Sequence, residues 1–192
     1  MELLGTIDPT LPLVVVAVDL EAKELQTSLP ILITGVGKIA SGHAVLATLG
    51  PLAPTQRPAM VLNMGTAGAL IDGISGTHLI GRVLQHDLDG LAIEALVGHN
   101  PTPDLMLGDG PTLATGDRFI ATESERRALA QRAQLVDMEG YAVARAAMAL
   151  GVEVALVKHV SDNANEAASL TWAQSVTACS HHLGTWLAGQ GY

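Results

Sequence analysis

A chain of 192 residues that is 48% hydrophobic and only 15% charged can bury one sizeable core and still carry more apolar surface than a monomer of this size hides, so self-association is expected. A net charge of −9 and a pI near 5.0, with no basic cluster, exclude a nucleic-acid partner. One cysteine, Cys179, excludes an internal disulfide framework and fits a reducing compartment, the cytoplasm, as a small core residue.

The N-terminus, MELLGTIDPT, carries Glu2 and Asp8 where a secretory signal needs positive charge, and residues 1–12 read as an extension of a single domain spanning 1–192. The first apolar run, LPLVVVAV at 11–18, is too short to cross a bilayer and reads as a strand, so no membrane contact is expected. A helix is predicted over 20–26, a strand over 30–34, a helix over 39–49, and strands over 59–64 and 76–84. The stretch 84–111, rich in Asp, Gly and Pro, reads as loop with irregular strand pairing. Beyond it come a strand over 111–115, helices over 124–133 and 139–150, a strand over 152–160 and a helix over 170–187. Because the strands are continuous apolar runs alternating with Ala-rich helices, the fold class is α/β, with helices on both faces of a mostly parallel sheet.

Ligands of such sheets gather beyond the carboxyl ends of the strands. Those ends carry Asp19 and Glu21, then GVGK, GTAG, GDRF and SDNAN. Glu139 raises a separate question: in LVDMEGYAVARAA, read as the start of an apolar helix, it shares a stripe with Val143, Ala146 and Leu150. An acid on an apolar stripe is paired within the protein or faces a ligand, and the pattern alone leaves both open. Asp19 and Asp162 could each simply cap a helix. Together with the chain's only phenylalanine, Phe119, the set Glu21, Glu139 and Asp162 reads as a small-molecule site.

Other chemistries fare worse. TGVGKIA at 34–40 fits a dinucleotide fingerprint but follows the second strand, and no acid occurs between Glu24 and Asp72 to bind the ribose. The seven histidines show no H-E-x-x-H spacing, HDLD at 86–89 reads as a solvated loop, and no G-x-S-x-G elbow is present. Neither a cofactor nor a metal is expected.

The segments AVDLEAKEL, TGVGKIAS, VLNMGTAGAL, HDLD, ATGDRFI, VDMEGYAVA and VKHVSDNAN, in that order from about residue 13 to 165, resemble the nucleoside phosphorylase and nucleosidase superfamily. Within it they are most similar to the 5'-methylthioadenosine/S-adenosylhomocysteine nucleosidases. The resemblance implies a three-layer α/β/α fold with a central mixed, mostly parallel sheet, a homodimer, and hydrolysis of a purine nucleoside at its N-glycosidic bond. It implies that Asp162 protonates the leaving purine, with Ser161 orienting it, and that Glu21 activates water. It further implies that Glu139 binds the ribose hydroxyls beside Met138, that Phe119 stacks on the base while the backbone of Ile120 reads its edge, and that Val36 and Thr66 line the water and ribose region. Lys158 stands where these nucleosidases usually carry an arginine, and is expected to serve the same region. Relative to the family, the segments before GVGK and after HDLD are short, which leaves the 5' substituent open. A phosphorylase, a futalosine-type hydrolase and a non-catalytic nucleoside-binding module stand as alternatives. In the phosphorylases an arginine stands two residues before the Gly-Ser or Gly-Thr turn; this chain has Asn63 there.

Overall fold

The computed structural model describes residues 1–191. Its strands are β1 (Glu2–Leu4), β2 (Pro12–Val16), β3 (Ile31–Ile33), β4 (Met60–Ala69), β5 (Thr77–Leu79), β6 (Arg82–Gln85), β7 (Leu105–Met106), β8 (Thr112–Thr115), β9 (Leu135–Asp137) and β10 (Glu153–Asp162). Its α-helices are α1 (Asp19–Ala22), α2 (Lys38–Leu49), α3 (Gly90–Val97), α4 (Glu123–Ala130), α5 (Gly140–Ala149) and α6 (Ala168–Gly189).

The layering follows from the pleat of β2, whose five residues are all buried. Leu13 and Val15 pack with Val45 and Leu49 of α2 and Val143 and Ala147 of α5. Val14 and Val16 turn to the opposite face and meet Leu183 and Leu187 of α6. Each such fully buried Val or Leu contributes about 1.5–3 kcal/mol relative to exposure. The sheet between these helical layers is mixed, as expected. Parallel pairings join β2 to β3 and β4, β4 to β10, β6 to β8 and β8 to β9. Short antiparallel pairings join β1 to β3, β5 to β10, β6 to β7, and β4 to β9 at Gly68 and Ala69.

Four local expectations change. The strand read over 76–84 is two, β5 on β10 and β6 between β7 and β8. Residues 2–4, read as part of an extension, form an edge strand on β3. Residues 90–97, read as loop, form α3: Asp89 accepts from the N–H of Ala92 at one end, and Gly98, at φ 80°, closes the other in the left-handed region. Leu135–Asp137, read as the start of a helix, is β9, so Glu139 sits one residue before α5 at φ −129° and not on its apolar stripe.

The N-terminus of α2 is capped by two acids from distant parts of the chain. Gly37 precedes α2 at φ +93° and gives its N–H to Glu139, while the N–H of Lys38 goes to Asp117. These are orphan donors of a helix N-terminus, where anions are favoured.

Candidate active site

At that rim lies a cavity of about 370 Å³. Glu21, Glu139 and Asp162, from α1, the start of α5 and the end of β10, all line it.

Glu21 is 5% exposed. Its Oε1 accepts from the backbone N–H of Thr66 at 2.8 Å and the Thr66 hydroxyl at 3.0 Å, and its Oε2 from the N–H of Ala17 at 3.1 Å. The carboxylate approaches β4 so closely that a Cβ at Gly65 would stand 3.0 Å from Oε1. Gly65 therefore makes room for the acid.

Asp162 follows a register shift in the β4–β10 pairing between Val160 and Asp162, which turns the end of the strand into the rim. The Ser161 hydroxyl donates to Oδ2 at 2.7 Å and the N–H of Ala164 donates to Oδ1 at 2.8 Å. Two donors thus fix the carboxyl plane. Across from it, Gly68 leaves space that a Cβ would narrow to 3.1 Å from Oδ1.

Glu139 is 9% exposed and accepts the Gly37 N–H at 2.8 Å. Burial, then the charge of Asp137, push its carboxyl up to about 7, against the opposing pull of Lys158 and the Gly37 N–H. Asp137 in turn receives the Thr115 hydroxyl at 2.6 Å, the Gly140 N–H at 2.8 Å and the Lys158 ammonium at 2.9 Å. Burial alone would depress Lys158, but Asp137, Glu139 and Glu21 outweigh it and raise the group above its ordinary value.

Phe119 and Met138 add apolar wall, and Val36, Thr66, Ile120 and Ser161 complete the expected lining. Lys158 does not join them. It is 2% exposed and spends its ammonium on Asp137, so it acts on the cavity through the field it exerts on Glu139. Sequence reading also missed Asp137, a cavity-lining acid two residues before Glu139, and Trp172 of α6, whose indole N–H donates to the Thr66 hydroxyl at 2.9 Å. The VDMEG motif could have flagged the first. Nothing in local spacing announces the second, which lies 106 residues from its partner.

Each lining carboxylate already holds N–H or O–H donors, and among the described residues no cluster of three His, Cys, Asp or Glu could hold a metal ion. The arrangement offers two acids able to accept or donate a proton, a third that can receive hydroxyl groups, and an apolar wall for a flat ring. Such a set can move protons on a bound small molecule and stabilise charge that develops on it.

Comparison with known proteins places similar chains among the nucleosidases. A 5'-methylthioadenosine/S-adenosylhomocysteine nucleosidase of Shewanella oneidensis is 24% identical over 175 residues, covering 78% of this chain and 72% of that protein. An aminodeoxyfutalosine nucleosidase of Helicobacter pylori is 24% identical over 176 residues, covering 78% and 75%. The fold matches a Streptococcus pneumoniae MTA/SAH nucleosidase in complex with 8-aminoadenine at a TM-score of 0.76 and 21% identity, over 93% of this chain and 97% of that one. The family model described as the phosphorylase superfamily matches residues 83–184, more than half of the sequence, and the chain belongs to that superfamily.

Proposed function

We propose that this chain is an N-glycosyl hydrolase that releases the free base from a purine nucleoside of the 5'-methylthioadenosine or S-adenosylhomocysteine type. The observation that carries the reading is the convergence of Glu21, Glu139 and Asp162 on one cavity that Phe119 also lines. Asp162 gives its proton to N7 of the purine, and the bond between C1' and N9 breaks with its electron pair going to the base. Water attacks C1' and loses a proton to Glu21, so the proton lost at Asp162 is matched by one gained at Glu21. Glu139, as a carboxylate, receives the ribose hydroxyls and lends negative charge beside the cationic sugar. Positioned proton transfer of this kind contributes about 10²–10⁴-fold.

Water rather than phosphate suits the site. Asn63 gives its amide to the backbone carbonyl of Val15 and does not face the cavity. Arg118, the arginine at the mouth, is paired with Glu125. Arg118 is the one guanidinium among the described lining residues, where a site for a dianion would normally gather more than one.

The deciding experiment offers a panel of purine nucleosides, including 5'-methylthioadenosine, S-adenosylhomocysteine and aminodeoxyfutalosine, in phosphate-free buffer. Free base and the free sugar are expected, with no gain from added phosphate. Strict phosphate dependence would favour a phosphorylase, and tight adenine binding without base release from any nucleoside would favour a binding module.

A homodimer accompanies this reading. It is supported by α3, an apolar helix with no buried residue, on which Leu91 and Leu96 are 76% and 84% exposed. A monomer by light scattering at micromolar concentration would overturn it. The cytoplasm is the proposed compartment, supported by the free, buried thiol of Cys179. Cell fractionation tests that assignment.

A further inference from the structure

Trp172 reaches the cavity from α6 and spends its one polar atom on Thr66. An indole N–H donates and cannot accept, whereas a threonine hydroxyl has one proton and can also accept. Once the Thr66 oxygen has accepted the indole N–H, its own proton is left to donate elsewhere, and Glu21 Oε1 stands 3.0 Å away. We infer that Trp172 is a positioning residue for the hydrolysis proposed above: its indole N–H sets the rotor of the Thr66 hydroxyl, which then donates to one chosen oxygen of Glu21.

The choice of oxygen is the consequence. Oε1 receives both the hydroxyl and the backbone N–H of Thr66, at 3.0 and 2.8 Å, while Oε2 receives only the N–H of Ala17, at 3.1 Å. Oε2 keeps the freer lone pairs and is the oxygen that takes the proton of water. Without the indole, the Thr66 hydroxyl can turn toward that water and compete with Glu21 for it. Hydrogen bonds in such a chain polarise one another, so the effect passes through Thr66 and not through packing alone.

The relay is held at its far end as well. Ser180, buried eight residues further along α6, donates its hydroxyl to the carbonyl of Glu21 at 2.7 Å and accepts the N–H of Glu24 at 2.9 Å. Helix α6 therefore grips both the backbone and, through Trp172 and Thr66, the carboxylate of the same acid.

The test replaces Trp172 with Phe in the full chain, which keeps an aromatic ring and removes the donor. This inference rests on the hydrolase reading for its kinetic arm, and the expected result is a fall in kcat of about three- to tenfold with KM within about twofold. In a Thr66→Val background the same replacement should cost nothing further, because the relay is already cut. Equal losses in both backgrounds, or a loss confined to KM, would overturn the proposal. A second arm needs no turnover: in a Trp186→Phe chain, which leaves Trp172 as the remaining tryptophan of the two, the ¹⁵N-indole resonance should shift when Thr66 becomes Val. An unmoved resonance would also overturn it. If the wild type released no base from any nucleoside, the hydrolase reading would fall, and the resonance would still judge the relay.

Discussion

Glu21 and Glu139 border one cavity and are almost equally buried, at 5% and 9% exposed, yet different partners hold them. Glu21 is seated by three uncharged donors, from Ala17 and Thr66. Glu139 has a single backbone N–H, an acidic neighbour in Asp137, and a buried lysine whose direct contact goes to that neighbour. The dipoles around Glu21 define where the carboxylate points. Burial first, and then the charge of Asp137 against that of Lys158, set how readily Glu139 gains a proton. Burial alone does not assign a carboxylate its task; the kind of partner does.

The sharpest way to break this comparison is to neutralise each acid in turn. Glu21→Gln, and likewise Asp162→Asn, should lower kcat by about 10²–10⁴-fold while leaving nucleoside affinity nearly intact. Full turnover in either variant would end their assignment to proton transfer. Glu139→Gln should instead weaken nucleoside binding.

A second change attacks the charged corner alone. Lys158→Met leaves Asp137 buried without its cation, and chemical denaturation should report a loss of about 3–5 kcal/mol, as is usual when one partner of a buried pair is removed. An unchanged midpoint would mean that Lys158 contributes no net stability.

The third prediction is a pH dependence with two opposite signs. Glu139 is raised from 4.5 to about 7 in the folded chain, so its contribution to stability is complete below pH 4.5 and is lost as the pH rises through 7. Ribose hydroxyls need the carboxylate form as acceptor, so affinity for a nucleoside analogue should climb about tenfold per unit up to pH 7 and then level off. Calorimetric titration from pH 5.5 to 8.5 checks this, with Glu139→Gln expected to flatten the curve. A flat wild-type curve would reject the role given to Glu139.

The smallest effect belongs to the support of the acid at β10. Ser161→Ala removes one hydroxyl from Asp162 but leaves the Ala164 N–H in place, and should lower kcat by about three- to fivefold. A loss as large as that of Asp162→Asn would make Ser161 more than a support.

The strands that dominate the sheet were legible because they are unbroken apolar runs: β2, β4 and β10 need hydrophobic residues on both faces, and LPLVVVAV, AMVLNM and VEVALVKHV supply them. β9 was not, since a three-residue strand running into a helix carries no period of its own, and that misreading placed Glu139 on a helix stripe it does not occupy. α3 was hidden by the Gly, Asp and Pro around it, although two of those residues, Asp89 and Gly98, turn out to be its caps. Of the expected site, the residues at strand ends could be located by the general rule for open α/β sheets, whereas the roles assigned to them came from family resemblance. Lys158 was placed by that same resemblance, and only the folded chain shows its ammonium turned to Asp137. Asp137 stood in the VDMEG motif and went unread, whereas Trp172 acts through a pairing 106 residues away that no local pattern encodes.

Helix α6 ties the acid at position 21 to residues 172 and 180. On a ribosome the two ends of that tie emerge far apart in time. Glu21 and Thr66 leave the exit tunnel early, but the indole that orients the Thr66 hydroxyl and the hydroxyl that anchors the Glu21 backbone wait for α6 to be made and docked. A growing chain thus carries an unoriented acid until synthesis is nearly over, and the proposed relay closes with a long-range contact rather than with the folding of any one segment.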